Sequence, residues 1–180
     1  LAELEVEGFK GLVVDLRENG GGYLSAAIQM VNEFLPKDRL IVYTQGRRTR
    51  REEFRSDGRG AYQDLPIIVL IDERTASAAE IFSGAIQDND RGIIVGRRSF
   101  GKGLVQQPIE FSDGSLIHLT IARYYTPSGR CIQKPYVKGQ PKEYDMDLIT
   151  RYERGEFFNQ DSIHQTGEAY TTSIGRTVYG

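Results

Sequence analysis

The sequence predicts an α/β domain: a mainly parallel sheet covered by helices, followed by an antiparallel hairpin region. Three observations carry this expectation. Short apolar runs alternate with amphipathic segments over the first hundred residues. Gly, Asn, Asp and Pro punctuate those runs. From Gly101 onward the alternation stops, and two strand-like runs are joined by SDG, a hairpin signal.

The elements follow in order. GLVVDL, residues 11–16, carries two adjacent valines between Gly and Asn and reads as a buried strand. After RENGGG, the segment YLSAAIQMVNEFL places Leu24, Ile28, Val31 and Leu35 on one helical face. RLIVYTQ is the next strand, and the arginine-rich RRTRREEFR with its SDGRG turn reads as a solvated hairpin. LPIIVLIDE, residues 65–73, is a strongly apolar strand. In TASAAEIFSGAIQDND, Ala78, Ile81, Ala85 and Ile86 form a helical face, with Asn89 and Gly92 as a stop. RGIIVG is a fourth strand, LVQQPIEF and SLIHLTIARYYT make the hairpin, and DMDLITRYERG is a short helix in a polar tail. In parallel sheets, ligands gather where loops leave the carboxyl ends of strands. RENGGG and DERTAS are such loops.

Composition sets bounds. At 180 residues the chain has the size of one ordinary domain. A net charge of −2 exerts no global pull on nucleic acid or anionic membrane. The single Cys131 cannot close an internal disulfide. No apolar run approaches the ~18 residues of a membrane span, and there is no signal peptide. The chain starts at Leu1 and ends at Gly180 directly after a strand-like TVY, so both ends read as cut.

Ser77 is the first residue with chemical promise. It follows an apolar strand at the front of a helix, where free N–H groups can meet a developing oxyanion. Thr75 is expected to cap that helix, which leaves Ser77 free in the first turn. The bland alternative is that Ser77 is itself an N-cap. A nucleophilic serine needs a base. Of the two histidines, His118 lies on a strand and His164 in the polar tail, neither with an obvious carboxylate companion. A lysine can serve instead when burial keeps its amine neutral. Lys102, between Gly101 and Gly103, has a setting where the backbone can approach another element closely. Spacing alone leaves open whether it is a base or an exposed loop tip. GRRSFGKG, residues 96–103, also nearly spells a phosphate-binding loop. Gly103 stands where the magnesium ligand belongs, however, and a strand-like run follows where a helix is required, so a nucleotide site is not expected.

TASAAE, the lysine of FGKG and Gln106 beyond it together resemble the active site of the carboxy-terminal processing proteases. These are tail-specific serine peptidases of the S41 class. GLVVDLRENGGG resembles the family's DLRxNxGG segment, and LTIARYYTPSGRCIQ its segment after the lysine. The resemblance runs from Gly8 to Pro135. It is weaker over QKPYVKGQPKEYDMDLITRYERGEFF, which resembles forms from one group of envelope-bearing bacteria.

The resemblance implies roles for individual residues. Ser77 matches the nucleophile, Lys102 the general base and Gln106 the residue that orients the lysine. Ala78 N–H matches one oxyanion donor, and a glycine of the Gly20-Gly21-Gly22 loop the other, with Gly21 and Gly22 the candidates. It implies a spiral αβ core like that of ClpP and crotonase, a catalytic core over residues 1–135, and a truncated extension over 136–180 packing on it. The family's secretion leader and PDZ domain have no counterpart in these residues. Also implied are C-terminally tailed or unfolded protein substrates, a periplasmic or envelope address, and no metal, cofactor or nucleotide. The ARYYT segment is expected to wall an extended substrate, which could add as a strand. Two rival readings stay open: an acyl-CoA enzyme of crotonase type, and a non-catalytic peptide-binding core.

Overall fold

A computed structural model describes residues 1–159 and 167–180 of the chain. After a one-turn helix α1 (Ala2–Val6) come β1 (Leu12–Asp15), α2 (Leu24–Asn32), β2 (Leu40–Gln45), β3 (Glu52–Arg55) and β4 (Ile67–Ile71). Next are α3 (Ala78–Asp88), β5 (Ile93–Gly96), β6 (Leu104–Glu110) and β7 (Leu116–Tyr125). The tail adds α4 (Pro141–Asp145), α5 (Asp147–Glu153), β8 (Ala169–Thr171) and β9 (Thr177–Tyr179).

The strands form three sheets. β1, β4 and β5 are parallel in the order β1-β4-β5, so their carboxyl ends share one edge. β3, β2, β7 and β6 form an antiparallel sheet in that order, and β8 pairs with β9. This corrects one expectation. RLIVYTQ forms a strand, but β2 lies in the antiparallel sheet and not between parallel neighbours. Its apolar run misleads because both faces are covered: Ile41 and Val42 join the core, while Tyr43 stacks on Tyr125 with ring centroids 5.0 Å apart.

The core lies between the parallel sheet and the helices α2 and α3. Val31, Leu35, Ile41, Val69, Phe82, Ala85 and Ile86 are its most buried members. α3 is buried nearly all round, as its run of Ala, Ile, Phe and Gly suggests. Beyond Asn89 at its carboxyl end, Arg91 staples three carbonyls, those of Phe34 (2.8 Å), Tyr62 (2.8 Å) and Leu65 (2.5 Å). Those three bonds pin the α2–β2 connection to the loop before β4. Among the described residues no helix is long and apolar enough to cross a membrane.

Candidate active site

Three loops leave the carboxyl edge of the parallel sheet: residues 16–23 after β1, 72–77 after β4 and 97–103 after β5. Hydrogen bonds between these loops tie them together. Thr75 Oγ1 donates to Leu16 O (2.8 Å), and Ala76 N–H donates to Asn19 O (2.9 Å). Phe100 N–H donates to Thr75 O (2.9 Å). Asp72, nearly buried, accepts the N–H groups of Glu18, Arg74 and Thr75, each at 3.0 Å. Burial pushes its carboxyl up, but these donors and the Thr75 hydroxyl outweigh it and hold it below the usual range.

Ser77 stands at the turn from β4 into α3 with φ 57° and ψ −120°, a strained backbone for a residue with a Cβ. It is the N-cap of α3, so the capping role expected of Thr75 belongs to Ser77. Thr75 spends its hydroxyl on Leu16 O and on the Asp72 N–H (2.9 Å). The spacing was there to be read: Ser77-x-x-Glu80 is the capping-box pattern, whereas three residues after Thr75 stands Ala78.

Glu80 is the hub that sequence reasoning missed. Its side chain is buried, and Oε2 accepts from Ser77 N–H (2.8 Å) and from Lys102 N–H (2.8 Å). Oε1 accepts from Gly101 N–H (2.7 Å) and from the Ser99 hydroxyl (2.6 Å). One carboxylate oxygen therefore holds the backbone of both predicted partners. Burial pushes the Glu80 carboxyl above its ordinary range, although all four donors favour the charged form.

Lys102 itself is exposed, which departs from the burial expected of it. The reason lies in its strand context: it precedes β6, an edge strand, and only its backbone is gripped. The flanking glycines do approach another element. Gly101 O accepts from Lys134 N–H (2.9 Å), and Gly103 N–H donates to Gln133 Oε1 (3.0 Å). The neighbouring arginines point to other partners: Arg97 pairs with Glu73 at 2.7 Å, and Arg98 lies 3.7 Å from Glu156. Among the described residues no hydrogen bond joins Ser77 Oγ to Lys102 Nζ. Gln106 sits at a register shift in β6, exposed, with Nε2 3.5 Å from Thr120 Oγ1. His118 lies on the same hairpin opposite Pro108, and His164 falls outside the described residues.

The glycine loop meets Ser77 directly. Gly21 has φ +94°, and a Cβ there would come within 2.7 Å of both Ser77 Cβ and Ala78 N. Its own N–H is taken by Asn19 Oδ1 at 2.9 Å. Among the described residues no acceptor takes the N–H of Ala78 or of Gly22. The β1 end is stiffened by Arg17, whose guanidinium donates to both Asp15 oxygens (2.9 and 2.6 Å) and holds that carboxyl down at about 2. No group of three or more His, Cys, Asp or Glu side chains forms a metal-holding cluster among the described residues.

Strand addition at ARYYT is corrected. Arg123 pairs with Gln45 of β2 on one side and Leu104 of β6 on the other, so the segment has no free edge there, and the outer strands of this sheet are β3 and β6.

A family model for peptidase family S41 matches residues 1–141. The chain belongs to peptidase family S41. A carboxyl-terminal-processing protease of Synechocystis sp. is 46% identical to this S41 chain over 134 residues, 74% of the chain and 31% of the relative. The "Probable CtpA-like serine protease" of Staphylococcus aureus is 38% identical over 178 residues, 96% of the chain and 36% of the relative. Among solved structures, the photosystem II D1 C-terminal processing protease superposes with a TM-score of 0.68 at 39% identity, covering 73% of the chain and 34% of that protein. The S41 chain thus spans about a third of the length of the curated relatives it matches.

Proposed function

We propose that this S41 chain is the catalytic core of a serine endopeptidase that cuts proteins near their C-terminal tails. The observation that carries the reading is the Glu80 carboxylate, which grips Ser77 N–H and Lys102 N–H with one oxygen while leaving the Ala78 and Gly22 N–H groups unspent. The parallel sheet with its covering helices supports a crotonase-like spiral αβ core, and relatives named for C-terminal processing support tail cleavage. The envelope address in this reading rests on the family resemblance.

The chemistry follows from the positions. Neutral Lys102 takes the Ser77 hydroxyl proton as Oγ attacks the substrate carbonyl carbon. The resulting oxyanion accepts from Ala78 N–H, at the positive end of α3, and from Gly22 N–H. Lys102 returns its proton to the leaving amine and the C–N bond breaks, leaving an acyl ester on Ser77. Water then gives a proton to Lys102 as its oxygen attacks the ester carbonyl, and Lys102 passes that proton to Ser77 Oγ as the C–O bond breaks and the new carboxyl end leaves. Lys102 is open to solvent, so a polypeptide lying over the cleft supplies the desolvation that favours its neutral form. Gln106 steadies the lysine once substrate is present. The steps need no metal or cofactor.

Mass spectrometry after treatment with a fluorophosphonate tests the reading together with cleavage of a tailed protein. The expected result is one adduct on Ser77, and a loss of cleavage of at least about a thousandfold in both Ser77→Ala and Lys102→Ala. A Ser77→Ala protein that cuts at the wild-type rate ends the assignment.

A further inference from the structure

The polar tail brings a second feature to the cleft. Arg151 of α5 is buried, and its guanidinium donates to Ser99 O (3.1 Å) and Arg98 O (2.6 Å) of the loop that carries Lys102, while Nε meets Glu156 Oε2 at 3.0 Å. So anchored, α5 and the turn after it lean against the carboxyl-edge loops and leave a groove of about 610 Å³. One wall is apolar: Ile149, Tyr152 and Phe158 are all more than 45% exposed, with Phe157 beside them. The other wall is cationic, formed by Arg74 from the turn into Ser77 and Arg97 from the start of the Lys102 loop.

Exposed aromatic and aliphatic side chains gathered on one wall mark a binding surface more often than chance exposure does. The charges say what belongs there. Glu73 is satisfied by Arg97 at 2.7 Å, and these two cancel. Among the described residues the Arg74 guanidinium reaches only Glu18, at 3.3 Å, through two side chains that are 67% and 72% exposed, a pair held weakly in water. The rim therefore offers one exchangeable guanidinium beside an apolar wall, and a guanidinium fork suits a carboxylate.

We infer that this groove is a substrate subsite for an apolar side chain beside an acidic one, with the Asp or Glu carboxylate on Arg74 and the apolar group against Ile149, Tyr152 and Phe158. The subsite rests on the proposed peptidase reading, since its value to the protein is to seat a polypeptide between the Ser77 and Lys102 loops. Its test does not depend on turnover.

The test is fluorescence anisotropy of a fluorescein-labelled, carboxyl-amidated hexapeptide containing Leu-Phe-Asp, measured on the Ser77→Ala chain, on the same chain with Arg74→Gln, and on the same chain with Ile149→Asp. The expected result is saturable binding, weakened roughly tenfold by Arg74→Gln and by Ile149→Asp. Replacing Asp by Asn in the peptide is expected to cost the same factor and to remove the effect of Arg74→Gln. Equal binding of the two peptides, indifference to Arg74→Gln, or no binding at all overturns the subsite. If only a free-acid peptide binds, with Asn as good as Asp, the groove reads a chain terminus and the acidic side chain is wrong. None of these results depends on whether Ser77 is a nucleophile, which the fluorophosphonate adduct decides separately.

Discussion

At Ser77, φ is positive although the residue has a Cβ, a conformation costing on the order of 1–3 kcal/mol that the surroundings must impose. Two neighbours impose it, and each yields a prediction. Gly21 sits where any Cβ would strike Ser77 and Ala78. Gly21→Ala is therefore expected to cut peptidase activity by at least about a hundredfold. The far-ultraviolet circular dichroism should stay unchanged, because the collision is confined to the site. Glu80 is the second neighbour. Glu80→Ala strands three backbone N–H groups and the Ser99 hydroxyl, and should cost about 3 kcal/mol in denaturant unfolding. Glu80 also sets a pH dependence. Burial raises its folded carboxyl pKa above the unfolded value, so the folded state binds more protons than the unfolded one in that window. Its contribution is then fully present below about 4.5, the ordinary glutamate value, and is lost as pH rises through the raised folded value. Unfolding curves collected from pH 4 upward should show that decline in the wild type, and a Glu80→Gln chain should lack it.

Among the elements, α5 is tied to the Lys102 loop most deeply by Arg151, beside the partly exposed pairs of its Asp147 with Lys134 and Arg98. Arg151 is 2% exposed and donates to two carbonyls of the Lys102 loop, so its removal strips those acceptors of their donor and leaves Glu156 only the more distant Arg98, at 3.7 Å. Arg151→Ala is expected to cost about 3 kcal/mol and to open residues 136–159 to proteolysis before the sheets. A limited digest followed by mass spectrometry would show whether the first cuts fall there. The same scale shows what the sequence made legible. β1, β4, β5 and the two long helices could be read because each is an apolar run of the right period ended by Gly, Asn or Asp. Where a strand pairs is another matter: the period of β2 marks a strand, yet a strand covered on both faces looks the same in either sheet. At the site, Ser77 and the glycine loop drew notice by their places after apolar strands, while the resemblance to the S41 class, not spacing, singled out Lys102 as the partner of Ser77. Glu80 and Arg151 did not stand out as hubs, because the groups of the Lys102 loop that each buried charge holds lie far away in sequence.

On the scale of the molecule, the three sheets meet at the carboxyl end of α3, and two acidic residues there do unequal work. Asp88 is buried; its Oδ1 pairs with Arg130 at 2.5 Å and its Oδ2 accepts from Ser128 N–H at 3.0 Å. Its backbone carbonyl accepts from Ser173 N–H at 2.9 Å. It thus ties the turn after β7, and the hairpin of β8 and β9, to the helix that begins at Ser77. Arg130 is itself largely buried, so removing the carboxylate strands a cation in the interior. Asp88→Ala is expected to cost about 3–5 kcal/mol, as an uncompensated buried charge does. The pair of Arg176 with Asp90 is closed just as tightly at 2.5 Å, but the arginine is 52% exposed, so Arg176→Ala should change stability by no more than about 1 kcal/mol. Urea unfolding of the two variants, followed both by tyrosine fluorescence and by circular dichroism, separates the cases. Coincident transitions at a much lower midpoint in Asp88→Ala would mean that the junction holds the chain together as one cooperative unit. An early loss of tyrosine signal with the helical signal intact would mean that the tail hairpin is only docked on it.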